Sequence, residues 1–86
     1  MHEMSLLADL MRKIEAVARE QGAERVVSVT VRLGALAHIS PGHLREHFVQ
    51  AARETIADGA DFHVIEISDE HHPEAQDIIL DSVEVE

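Results

Sequence analysis

The stretch RVVSVTVRLG, residues 25–34, decides how the rest of the chain is read. Val27, Val29, Val31 and Leu33 alternate with Ser28, Thr30 and Arg32. An apolar period of two in which β-branched residues dominate is the pattern of a strand buried on one face. Gly34 ends or bends that strand before the turn-forming AHISPG, residues 37–42. Working outward, Leu6, Leu7, Leu10, Ile14, Val17 and Ala18 recur at the three-and-four spacing of one helix face, with Ser5 as the expected N-cap and Gly22 as the stop. On the other side, Ser40-Pro41 reads as an N-cap followed by proline at the first helical position, where its missing N–H has no helical acceptor to lose. Leu44, Phe48, Ala51, Ala52 and Ile56 carry this second helix toward Asp58-Gly59.

Two further segments, DFHVIEI at 61–67 and DIILDSVEVE at 77–86, are short and rich in strand formers. Between them SDEHHPEAQ, residues 68–76, has no period and carries Pro73, which predicts a loop. Ile78, Ile79 and Leu80 run together, so the register of the last strand is not fixed by alternation. The order helix, strand, helix, strand, strand predicts one α/β (α+β) domain over residues 1–86: a small mixed three-stranded sheet with both helices on one face. A helix between the first two strands makes them a parallel pair with a right-handed crossover, and the shorter loop permits an antiparallel pair at the end.

The 86 residues carry 17 acidic and 7 basic side chains, a net charge of −10, with Phe48 and Phe62 as the whole aromatic content. Such a surface repels nucleic acid and anionic membranes, and it offers no aromatic platform for bases; cations and basic protein patches are the compatible partners. With no Cys, there is no disulfide, thiolate metal site or cysteine nucleophile. No apolar run approaches the roughly 20 residues of a membrane span, and the start lacks the features of a signal peptide, so the cytoplasm is the expected location. No phosphate loop, nucleophile elbow, EF-hand or paired carboxylate arrangement appears, and the reading is a protein that is not an enzyme.

The histidines carry what chemistry remains. In the opening MHEMSL, the bulk of His2 is expected to block trimming of Met1. The Met1 amine, the His2 amide and imidazole, and the Glu3 amide then offer four nitrogens for an ion that favours a square plane, Ni(II) or Cu(II) rather than Mg(II) or Ca(II). The plain alternative is a frayed start whose histidine does nothing. His43 and His47, four apart on the second helix, share a face within reach of one ion, or form the polar margin beside Leu44 and Phe48. His71 and His72 lie among Asp69, Glu70 and Glu74, giving either a weak site for nickel, copper or zinc or a solvated turn. His38 and His63 stand singly, explained by packing or exposure.

The start MHEMSL, the helix after it, GAERVVSVTVRLGAL and the closing DSVEVE together resemble the HypA/HybF family of nickel metallochaperones for [NiFe]-hydrogenase and, in some organisms, urease. The resemblance implies that Met1, His2 and Glu3 are the nickel ligands, with Glu3 contributing its amide nitrogen. It also implies a mixed sheet with two helices for the nickel domain, and a HypB-type GTPase and a hydrogenase large subunit as partners. Members normally insert a zinc domain built on two Cys-x-x-Cys pairs between the last two strands, where this chain has the loop 68–76. No structural zinc is therefore expected, and His71 and His72 are additional nickel candidates by position alone. The implied function is to hold Ni(II) at the amino terminus for transfer, as a monomer or weak homodimer. The rival is a metal-free protein-interaction module on the same fold. In either case Arg12, Lys13 and Arg19 are candidate contacts for an acidic patch on a partner.

Overall fold

The computed structural model describes residues 3–86, with side chains from Ser5 onward. Its elements run α1 (Glu3–Glu20), β1 (Val26–Leu33), α2 (Pro41–Ala52), β2 (Asp61–Glu66) and β3 (Ile78–Val85). The sheet order is β2-β1-β3, so the valine-rich segment is the central strand, parallel to β2 and antiparallel to β3. The expected fold class, a mixed three-stranded sheet with two helices, is the one observed. The antiparallel partner of β3 is β1 rather than β2, placing the two later strands on opposite edges.

The alternation in β1 holds from Val29 through Val31 to Leu33, all buried, with Leu80 and Ile78 of β3 paired to Val31 and Leu33. It fails at the start of the strand. Val27 is half-buried and Val26 takes the core position, because the pairing slips between Val26 and Ser28 and inserts an extra residue. A β-bulge of this kind shifts the side-chain phase by one, which local alternation cannot show. A second slip, between Thr30 and Val31, leaves Asp81 as the extra residue on β3.

Helix α1 lays Leu7, Leu10, Ile14 and Ala18 on the core, as its spacing predicts, while Leu6 packs at the margin; Met11 joins the core beyond the expected stripe, and Val17 is only half-buried. It begins at Glu3, two residues ahead of the expected cap, so Ser5 lies within its first turn. Its end is a Schellman arrangement: the Ala23 amide donates to Ala18 O at 2.9 Å and the Gly22 amide to Arg19 O at 3.1 Å, with Gly22 at φ 61°. In α2 the expected cap is present, Ser40 Oγ accepting from the His43 amide at 3.1 Å with Pro41 opening the helix. Leu44, Phe48 and Ala52 are its buried residues, and the Phe48 ring stacks on Phe62 of β2 at 4.3 Å between centroids. The helix stops at Ala52, short of the expected Asp58-Gly59, and Ala51 is exposed. Thr55 Oγ1 donates to Ala52 O and accepts from the Ala57 amide, Asp58 accepts from the Glu54 amide, and Glu54 sits at φ 62°. These side chains offer the backbone local partners in place of helical ones. Ile56 still reaches the core margin, from a turn.

The loop between β2 and β3 is seated against the end of β1. Ala75 is buried, its carbonyl accepts from the Leu36 amide at 2.7 Å, and Asp77 O accepts from the Gly34 amide at 2.9 Å. A Cβ on Gly34 would fall on the Ala75 carbonyl, so glycine there is fixed by the approach of the loop.

Candidate metal centre

Met1 and His2 lie outside the described residues. Glu3 is the first residue of α1, and the first amides of a helix have no acceptor one turn back. Its N–H is thus outside the helical ladder.

His43 and His47 are brought together. Their ring planes are 6° from parallel with centroids 4.6 Å apart, and the rings meet at their edges, the two Nε2 atoms 2.7 Å apart with one ring donating to the other. His43 is exposed and His47 half-buried, since Leu44 and Phe48 fix the roll of the helix and leave this pair at its margin.

His71 and His72 are used differently. The His71 amide donates to Asp69 Oδ1 at 2.9 Å, an Asx turn, and the Glu74 amide donates to His72 Nδ1 at 3.0 Å. With Nδ1 accepting, the neutral His72 ring carries its proton on Nε2. The Glu74 carboxylate faces Arg32 at 3.7 Å, and Arg32 also meets Asp81 at 3.5 Å. Three of the loop's nominal ligands are therefore occupied in holding the loop, and among the described residues no three His, Asp or Glu side chains gather for one ion. With no Cys in the chain, the four-thiolate set of a structural zinc is not available from these residues.

His38 is exposed in a left-handed turn at φ 59°. His63 is exposed on β2 opposite Thr30. Of the basic residues on α1, Arg12 and Lys13 both pair with Asp9, at 2.9 and 3.0 Å. Lys13 foremost, then Arg12, hold the Asp9 carboxyl below its usual pKa. The seating of Ala75 on Gly34 went unread in the sequence; a glycine closing a central strand was its only signal. No described helix is long and apolar enough to cross a membrane.

A family model for hydrogenase/urease nickel incorporation, the metallochaperone HypA, matches residues 1–72, a span that includes Met1-His2-Glu3. The hydrogenase maturation factor HypA 1 of Bradyrhizobium diazoefficiens is 37% identical over 67 residues, 78% of this chain and 59% of its own length. The hydrogenase maturation factor HypA of Chlorobium limicola is 41% identical over 68 residues, 79% of this chain and again 59% of its own. The chain thus spans about three fifths of the length of these relatives. Among solved structures, the solution structure of the Ni metallochaperone HypA from Helicobacter pylori superposes with a TM-score of 0.81, covering 99% of this chain and 97% of that one. At 16% identity that likeness is one of fold. With the family model matched over most of its residues, the chain belongs to the HypA family of nickel-incorporation metallochaperones, maturation factors rather than enzymes.

Proposed function

We propose that this chain holds Ni(II) at its amino terminus through the Met1 amine, the His2 amide and imidazole, and the Glu3 amide, and delivers it by ligand exchange during hydrogenase maturation. The observation that carries the reading is the family match beginning at residue 1 and running through Met1-His2-Glu3. The opening of α1 at Glu3 supports it, because an amide outside the helical ladder is available to a metal. Nickel is cargo here, bound by deprotonated nitrogens, so uptake releases protons and weakens in acid. A HypB-type GTPase and a hydrogenase large subunit are the proposed donor and acceptor, in the cytoplasm. The domain works without the structural zinc of longer relatives, resting on its aliphatic core.

Calorimetric titration with Ni(II) tests this on three proteins: one with a free Met1 amine, one extended by a single residue, and His2→Ala. Tight stoichiometric binding is expected in the first alone. Undiminished affinity in both altered proteins would place the site elsewhere.

A further inference from the structure

We propose that His43 and His47, on the first two turns of α2, form a second site for a divalent transition-metal ion, in addition to the proposed amino-terminal chelate. Three features make it a built pair rather than two neighbouring rings. Ser40 and Pro41 fix the start of the helix, with the His43 amide donating to Ser40 Oγ. Leu44 and Phe48, at 0% and 1% exposure, fix its roll. The two rings already lie parallel with their Nε2 atoms 2.7 Å apart. Nitrogens at about 2.0–2.1 Å from an ion stand about 2.8–3.0 Å apart at a right angle, as around nickel or copper, and about 3.3–3.4 Å apart in a tetrahedron, as around zinc. The present separation is just short of the first, so the ion requires the two side chains to rotate slightly apart.

The ion takes the place of the proton now held between the nitrogens, and that proton moves through solvent to Nδ1 of the same ring, so both ligands are neutral imidazoles. Two imidazoles select nickel, copper or zinc over magnesium and calcium, and the net charge of −10 raises the local concentration of any cation. His43 is exposed, so water and an incoming ligand can reach the ion. A site of this kind exchanges its ion readily, as an acquisition or hand-over point requires and a structural site does not.

The test uses the full chain with one residue added before Met1 and His2 changed to Ala, which removes the terminal chelate. Nickel titration of this background, by calorimetry and by histidine ring NMR, is expected to show one weaker site. Either His43→Ala or His47→Ala should lower its affinity at least tenfold, and Mg(II) should not compete. Both substitutions lie at the helix margin, and an unchanged circular dichroism spectrum certifies the fold. Absence of nickel binding in the background protein, or binding that neither substitution weakens, would overturn the proposal.

Discussion

His43 and His47 stand four residues apart on a helix, and His71 and His72 stand side by side in a turn. In the first pair the helical repeat carries both rings to one face and sets two Nε2 atoms 2.7 Å apart. In the second, one amide is tied into an Asx turn and one ring nitrogen accepts from the Glu74 backbone. Residue type is the same in both, and the sequence around the second pair is the more acidic, yet only the helical pair converges. A cluster of ligating residues becomes a candidate site when the fold brings their donor atoms to one point. In the loop 68–76 the backbone uses them.

The largest test removes the support of the helical pair. Leu44, next to His43 in the helix, is fully buried, and Leu44→Ala should cost about 2–5 kcal/mol in denaturant unfolding. In whatever fraction remains folded, the His43 and His47 ring signals should both shift in the NMR spectrum as the pair loosens. Next comes the seat of the loop. Gly34→Ala puts a methyl group against the Ala75 backbone, which should cost about 1–3 kcal/mol. Faster amide exchange at Leu36 and Asp77 should accompany it, with the His43 and His47 signals unmoved. His72→Ala then deletes the acceptor of the Glu74 amide and should cost about 1 kcal/mol, without weakening nickel binding. A loss of nickel affinity in that variant would bring the two pairs closer in role than their geometry says.

The smallest effect belongs to Asp9 on α1. Lys13 first and Arg12 second depress its pKa in the folded state. A depressed carboxylate stabilises the fold above its unfolded pKa, and that contribution is lost as pH falls through the folded value. The three groups are largely exposed and solvent screens them. Asp9→Asn should therefore lower the melting temperature barely measurably at neutral pH and not at all in strong acid.

What could be read from the sequence follows the same division between local and non-local causes. The α1 stripe from Leu7 to Ala18, the Gly22 stop and the Ser40-Pro41 cap depend on neighbours within a turn, and they appear where spacing placed them. Val27 was misplaced because the bulge that shifts it is imposed by Glu84 and Val85 of β3, at the far end of the sequence. The second helix ended early because Thr55 and Asp58 compete for backbone groups that apolar periodicity does not count. At the histidines, spacing alone showed that His43 and His47 could meet, but not how closely. It gave no hint that His72 would serve as a backbone acceptor. For the amino terminus, the chemistry of Met1, His2 and Glu3 was legible from residue type, and its assignment to nickel came from family resemblance.

The central claim is an order of preference: the amino terminus first, the helical pair second, the loop pair last. Histidine ring NMR followed through a Ni(II) titration of the unextended protein measures that order directly. The first equivalent should change only the His2 ring signals, His43 and His47 should respond as the second is added, and His71 and His72 should stay in place throughout. A first equivalent that leaves His2 untouched while shifting any of the other rings would contradict that order.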